Sequence, residues 1–415
     1  MSVNNYFCSM TEQDLTDFIL AHENADPAQL MLHRDRWPDI DMSVAAKCIQ
    51  GRSKARTKLP LWYAEPGLVY PQSLSLEQCS SQATALYKQR FTAPSYRVAD
   101  FTGGLGVDTW SLSMASGSVD YYERSEELCA CARHNFSILG RDNIHVRNAE
   151  TGPEMLHGIP SDSYSLIYID PARRGKDGGR VYSLHDCEPD VTVLLSEFLR
   201  IAPRILLKAS PMADIGVLLS ELPQAAGIHI VSLAHECKEV LVLTGRDNAI
   251  PAEEIPVTAV ELKSSDDAAE PAVEFRFTLK EEREAAPQTA GPDQIRGYLF
   301  EPSPALLKAG AFKLPAVRFG LHKISASTHY YTGDNPVPGF PGKVRRIVEV
   351  LPFNKAAIRD FRKKYPSCSV TARNFPLTSE QLRGRLGTAE NSSLHVLGTT
   401  ASDRSRVLVV TDASL

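Results

Sequence analysis

Between Tyr96 and Gly245, short β-rich runs alternate with stretches of helical spacing, and that alternation constrains the fold more than any other feature of the chain. The runs fall at 97–101, 119–123, 144–147, 166–170, 204–208, 229–233 and 240–244. Most are far enough apart to be joined by a helical crossover, and strands joined in that way run parallel, so the expected class is α/β with a doubly wound sheet. The last two runs are separated by 234–239 only, which is too short for a crossover; an antiparallel hairpin at one sheet edge is expected there.

The flanks read differently. Apolar positions at helical spacing, Leu15, Phe18, Ile19 and then Val44, Ala45, Cys48, Ile49, predict an N-terminal helical region over 1–72. Its basic end, Arg52, Lys54, Arg56 and Lys58, suits either a solvated helix face or a polyanion contact. After the sheet region (73–248), an acidic stretch holds two possible strands, followed by a short run at 298–300 and a helical stretch at 304–319; 249–325 reads as an accessory or linker part. The Pro- and Gly-rich segment 333–342 can continue neither regular element, so a boundary is expected there. Beyond it, runs at 344–351, 355–365, 369–373, 379–386, 394–399 and 407–411 follow a β-α-β-α-β-β order, an α+β domain within 326–415. Its first half carries Lys343, Arg345, Arg346, Arg362, Lys363, Lys364 and Arg373, with few acids between them.

A net charge of -5 over 415 residues excludes a uniformly basic binder, though not a basic face on one domain. No apolar run approaches the roughly 18 residues of a membrane span; the most apolar region, 215–234, is broken by Glu221, Pro223, Gln224 and His229. The 8 cysteines are scattered, without a CxxC pair or zinc spacing, and read as reduced thiols of a cytoplasmic protein without a metal.

The first strand ends in Asp100-Phe-Thr102-Gly103-Gly104-Leu-Gly106-Val-Asp108. The glycines let the backbone turn sharply and approach a ligand. A dinucleotide loop would follow GxGxxG, but the sixth position counted from Gly103 is Asp108, and an acid there repels a pyrophosphate. Carboxylates on both sides of the glycines suit a ligand with a cationic amino-acid end, such as S-adenosylmethionine (SAM). The second strand ends at Glu123, followed by Arg124, where a carboxylate can accept both hydroxyls of a ribose. The third ends in Asn148-Ala149-Glu150, polar groups placed to meet an adenine. Each alone could be an ordinary loop cap; all three stand at successive strand ends.

The fourth strand ends at Asp170, followed by Pro171-Ala172-Arg173-Arg174. Such an Asp lies in the crevice where open α/β sheets bind ligands. Amino-methylating enzymes carry Asp or Asn, two prolines and an aromatic here; Ala172 and Arg173 depart from that pattern. The 5-methyluridine enzymes need a nucleophilic Cys after the next strand, and 207–211, Leu-Lys208-Ala-Ser-Pro, has none. Cys237 could reach the crevice from the edge hairpin or serve structurally.

Together with 77–81 (Glu-Gln78-Cys-Ser-Ser81), 236–239, 298–302, 307–312 and 373–377, these segments resemble a bacterial class I SAM-dependent methyltransferase family with ferredoxin-like and THUMP-like C-terminal domains. The resemblance implies a Rossmann-like methyltransferase sheet with SAM as cofactor. SAM would be held at Asp100, Thr102, Gly103, Gly104, Gly106, Asp108, Glu123, Arg124, Asn148 and Glu150, under a roof from Gln78 to Ser81. THUMP domains in related enzymes bind RNA, often tRNA, and the basic set from Lys343 to Arg373 suits phosphate contacts. The expected activity is methylation of a nucleotide in tRNA or rRNA, without a metal or a covalent Cys intermediate. Asp170 and the Pro171 carbonyl would orient the acceptor, Arg173 or Arg174 would touch a base oxygen or phosphate, Arg173 alternatively pairing with Asp170, and Lys208 would support the strand end. Rival readings are a methyltransferase for a small molecule or protein, and a noncatalytic RNA-binding protein.

Overall fold

A computed structural model describes residues 12–71, 73–173, 183–262, 271–391 and 393–414. The chain divides into two units: Met1–Ala234 with Lys238–Ala252 and Leu262–Pro271, and His235–Cys237 with Glu253–Glu261 and Ala272–Leu415.

The first unit begins with α1 (Glu12–Ala21), α2 (Pro27–Leu32), α3 (Met42–Lys58) and α4 (Pro60–Ala64). Asp26 and Asp41 accept backbone N–H groups at the starts of α2 and α3 and so cap them. The helical spacing becomes packing: Leu15, Phe18 and Ile19 meet Val44, Cys48 and Ile49 in one cluster. The basic end of α3 has intramolecular partners. Arg52 donates to the carbonyls of Tyr63 and Glu65, Lys58 to those of Leu76 and Glu77, Lys54 pairs with Glu77, and Arg56 with Glu23. These cations tie α3 to α4 and to α5 (Ser73–Gln78), which α6 (Gln82–Tyr87) follows.

The sheet elements come in the order β1 (Arg97–Asp100), α7 (Val107–Ala115), β2 (Ser118–Glu123), α8 (Glu126–Ile138), β3 (Ile144–Asn148), α9 (Pro153–His157) and β4 (Leu166–Ile169). They continue through β5 (Ala172–Arg173), β6 (Cys187–Glu188), α10 (Val191–Ile201), β7 (Arg204–Ala209), α11 (Ile215–Glu221), β8 (Ala225–Leu233) and β9 (Glu236–Gly245). In this unit the strands lie in the order β8-β9-β7-β4-β1-β2-β3. The pairs β1/β2, β1/β4, β2/β3 and β4/β7 are parallel, and β9 runs antiparallel to β7. All four residues of β4 are buried, as a central strand covered on both faces requires. The chain leaves β1 toward β2 and β3 on one side and returns through β4 to β7 on the other, so the switch point lies at the carboxyl ends of β1 and β4. Ala234 (φ 51) and His235 (φ 64) make the two-residue turn from β8 to β9, both in the left-handed region that such a turn demands. The ribbon β5–β6 pairs Ala172 with Glu188 and Arg173 with Cys187.

The second unit contains β10 (Pro256–Leu262), β11 (Pro271–Thr278), α12 (Leu279–Glu284), β12 (Tyr298–Pro302), α13 (Pro304–Lys308), α14 (Leu314–Phe319), β13 (His322–Ser325) and β14 (Thr328–Gly333). It ends with β15 (Gly342–Pro352), α15 (Lys355–Lys364), β16 (Ser369–Ala372), α16 (Ser379–Leu386), β17 (Leu394–Thr400) and β18 (Arg406–Ser414). The helical stretch expected at 304–319 is two helices, because Gly310 takes φ 77 after α13. The hairpin β13–β14 has no counterpart among the expected runs. One sheet, in the order β13-β14-β12-β15-β18-β17-β16, continues across the Pro- and Gly-rich segment, since β12 pairs with both β14 and β15. Helices α15 and α16 cover one face through Ile358, Phe361, Leu382 and Leu386 against Val396, Leu408 and Val410. The other face packs Leu299, Ile324, Tyr330, Leu397 and Val409.

Phe361 is 1% exposed in the helix-facing cluster. Phe361→Ala should destabilise the second unit by about 3–5 kcal/mol. Hydrogen exchange should then speed up at the β17 and β18 amides and not at β1 and β4; unchanged exchange at β17 and β18 would contradict this packing.

Candidate functional site

The loop after β1 is closed by its own side chains. Asp100 accepts the Thr102 N–H at 3.0 Å through Oδ1 and the Thr109 hydroxyl at 2.5 Å through Oδ2. Glu123, at the end of β2, accepts the Gly104 N–H at 3.0 Å and the Ser125 N–H at 2.8 Å. A Cβ on Gly103 would stand 2.2 Å from the Tyr121 ring, and Gly106 holds φ 84 at the start of α7, so neither position accepts a side chain without rearrangement.

Over this loop lies a cavity of about 740 Å³, within the range of small-molecule and cofactor sites. Of the residues singled out in the sequence, Gln78, Asp100, Thr102, Gly103, Gly104, Gly106, Asp108, Glu123, Arg124, Glu150, Asp170, Pro171 and Lys208 line it. Ser81 and Asn148 are not in the lining. Ser81 caps α6, and the Asn148 amide donates to the carbonyls of Glu123 and Arg124, both at 3.0 Å. The Arg173 side chain and all of Arg174 lie outside the described residues. Cys237 is not in the lining, whereas Cys79, within the expected roof, is; Glu188 and Lys238 also line the cavity and had no role assigned from the sequence.

Asp170 sits just past β4. Its N–H donates to Thr102 Oγ1 at 2.7 Å, and its Oδ2 accepts Lys208 Nζ at 2.5 Å. Burial alone would lower the Lys208 ammonium, but Asp170, Asp108 and Glu239 outweigh it and hold Lys208 above the usual lysine range. Asp170, which lines the cavity, is thus kept beside a permanent cation.

Beneath the glycine loop a second charged group is fully enclosed. Lys88, 0% exposed, reaches Glu239 at 2.8 Å and Asp108 at 3.0 Å. Asp108 also accepts the hydroxyls of Ser80 (2.8 Å) and Tyr168 (2.7 Å). Burial would raise the Asp108 carboxyl, but Lys88, Lys208 and the two hydroxyls outweigh it and hold it well below the usual range. Among the described residues no cation is paired with Asp100, and burial pushes its carboxyl up to about 7. Lys88 and Tyr168 carry no motif in the sequence, whereas Ser80 lies within the expected roof from Gln78 to Ser81. Glu239 stands in the 236–239 segment of the resemblance, without a role assigned to it there.

Among the described residues no group of His, Cys, Asp and Glu is placed to hold a metal, and no helix is long and apolar enough to cross a membrane.

The basic residues of the tail divide between the two faces of the second sheet. Arg345 stands opposite Leu299 and Lys343 opposite Glu301, on the face away from the helices. Arg362, Lys363 and Lys364 belong to α15 on the other. Several are engaged: Arg346 with Asp412 (2.9 Å), Lys364 with Glu349 (2.7 Å), and Arg362 with the carbonyls of Leu386 and Arg385. Lys363 and Arg373 are exposed.

A ferredoxin-like domain family matches residues 298–341, and a THUMP domain-like family matches 342–412. Among solved structures, a candidate methyltransferase from Porphyromonas gingivalis W83 is 35% identical with a TM-score of 0.86, over 96% of this chain and 97% of that one. An uncharacterised S-adenosylmethionine-dependent methyltransferase of Mycobacterium tuberculosis, in strains CDC 1551 and H37Rv, is 22% identical over 326 residues, 77% of this chain and 83% of that protein.

A carboxyl raised from 3.8 to about 7 favours the folded state while protonated, so its contribution is complete below the unfolded value and is lost as pH rises through about 7. The wild type should lose stability relative to Asp100→Asn between pH 4 and 7, measured by chemical denaturation at each pH. A constant difference across that window would place Asp100 outside this account.

Proposed function

The chain belongs to this family of SAM-dependent methyltransferases with ferredoxin-like and THUMP-like C-terminal domains, and on that premise we propose that its methyl acceptor is a nucleotide in structured RNA, tRNA or rRNA, in the cytoplasm. The observation that carries the reading is one cavity lined both by the glycine loop with Glu123 and by the Asp170–Lys208 pair.

The donor set fits SAM. Glu123 keeps lone pairs beyond the two N–H groups it accepts and can take both hydroxyls of a ribose. Gln78, Arg124 and Glu150 line the same cavity and would meet the adenine end of the cofactor. When bound, SAM supplies an activated methyl carbon on a sulfonium. The protein's part is then positioning. Lys208 and the Thr102 hydroxyl fix Asp170 at two points, so its free oxygen and the Pro171 carbonyl can accept hydrogen bonds from an acceptor N–H and align its lone pair; Asp170 is also placed to take the proton that the acceptor loses. A covalent route has little support. Cys79 is a lining thiol, but burial pushes it up to about 11, so little thiolate is present at neutral pH.

RNA as acceptor is supported by the THUMP domain-like match and by the cations Lys343, Lys363 and Arg373 of that part. The intramolecular pairing of Arg346, Arg362 and Lys364 favours the second reading, a small-molecule or protein acceptor with the basic residues serving the fold.

The deciding experiment is mass spectrometry of nucleosides from tRNA and rRNA of cells with the protein, without it, and with Asp170→Ala. One methylated nucleoside should vanish in both altered strains; if all persist, RNA is not the acceptor. For the cofactor, Glu123→Ala should weaken SAM binding at least tenfold by calorimetry, consistent with losing a charge-assisted hydrogen-bond acceptor worth roughly 1.5–3 kcal/mol. Unchanged affinity would remove Glu123 from the site.

A further inference from the structure

We propose that Lys88 is a positioning residue for the cofactor site, one buried ammonium that holds the roof, the first turn of α7 and the β9 wall in a single arrangement around the cavity. The proposal rests on the reading of that cavity as the SAM site.

Lys88 Nζ lies 2.8 Å from Glu239 Oε1, 2.9 Å from Glu239 Oε2, 3.0 Å from Asp108 Oδ1, 3.2 Å from Ser80 Oγ and 3.3 Å from the Thr84 carbonyl. Three of these partners connect directly to the cavity. Asp108 lines it, directly after the glycine loop; Ser80 follows the lining residues Gln78 and Cys79; Glu239 follows the lining residue Lys238. Ser80 closes the triangle by donating to Asp108 Oδ2 at 2.8 Å. A shift of any one element would therefore break a charge-assisted bond in a region without water to replace it.

Folding alone is a weak reason for this arrangement. A buried cation between carboxylates is often matched or exceeded in stability by apolar residues of the same volume, because desolvation of the ions offsets their attraction. What such a network supplies is one geometry. The glycine loop can offer its backbone to a ligand only if the first turn of α7 is fixed, and Asp108 is the residue through which Lys88 reaches that turn.

The test separates positioning from stability. Lys88→Met leaves Asp108 and Glu239 without their shared cation, and both thermal stability and SAM affinity should fall. Lys88→Met/Glu239→Gln removes the surplus charge and should recover most of the melting temperature, while SAM affinity by calorimetry stays at least tenfold weaker than wild type. If affinity returns together with the melting temperature, Lys88 is only a structural residue and the proposal fails. Should the lysine variants not fold, Ser80→Ala cuts the roof from the same network without altering charge. It should weaken SAM several-fold with a melting temperature lowered by only a few degrees, and wild-type affinity would overturn the proposal. The wild-type protein is the control for the underlying reading: if it binds no SAM, that reading fails, whereas wild-type binding with unaffected variants removes Lys88 alone.

Discussion

Burying carboxylates around the carboxyl ends of the parallel strands is the constraint on which the first unit depends. Asp100, Asp108 and Glu239 are nine-tenths or more buried, and Asp170 is partly so. Left uncompensated, such groups would cost several kcal/mol each or take up protons. Each meets the requirement differently. Asp100 takes hydroxyl and backbone donors and shifts toward its neutral form, Asp108 and Glu239 share Lys88, and Asp170 takes Lys208. The partners come from turn, helix and strand positions far apart in the chain, so satisfying the charges also sets where the surrounding elements stand. The site and the fold of this unit are consequences of one electrostatic problem.

Much of this was legible in the sequence where the signal is local. Period-2 and period-3.6 patterns located the strands of the first sheet, and the residues at strand ends, Asp100, Glu123 and Asp170, fall in the cavity because carboxyl ends of parallel strands converge on a switch point. What was not legible is pairing. Lys88 and Glu239 are 151 positions apart, and nothing in the residues around Lys88 distinguishes it from a solvated lysine. The same limit explains Ser81 and Asn148. Both stand beside true lining residues, and only the direction of the side chain, toward a helix end or a pair of carbonyls, removes them from the cavity. The turn at Ala234 and His235 carries none of the Gly or Asn that marks left-handed positions; the short spacing between two β-rich runs was the usable signal.

In the second unit, composition reported the sign of the charge but not its use. Arg346 and Asp412 are 66 positions apart and meet because β15 and β18 are neighbours; Arg362 caps the last carbonyls of α16 across the loop between two helices. A run of cations that looks like one surface is distributed over two faces of a sheet, since alternate strand residues point to opposite sides and the helix covers only one. Pro- and Gly-rich chain likewise ends a local element without ending a sheet. β12 is paired on both sides of that segment, so the ferredoxin-like and THUMP-like parts share backbone hydrogen bonds.

These features suggest how specificity could be divided in a methyl-transfer protein. Displacement at a sulfonium asks little of side-chain chemistry and much of geometry, and Asp170, held by Lys208 at its carboxylate and by the Thr102 hydroxyl at its backbone N–H, supplies geometry without discriminating strongly among acceptors that present an N–H. Discrimination must then come from contacts away from the reacting atoms, where each phosphate neutralised by a free Lys or Arg adds affinity but little base preference. Of the tail's cations, those engaged in ion pairs contribute least to that affinity, because forming a contact to phosphate would first break one inside the protein. Binding strength is therefore expected to follow the number of cations not held in such contacts, the exposed Lys363 among them, more than the total basic count that the sequence displays.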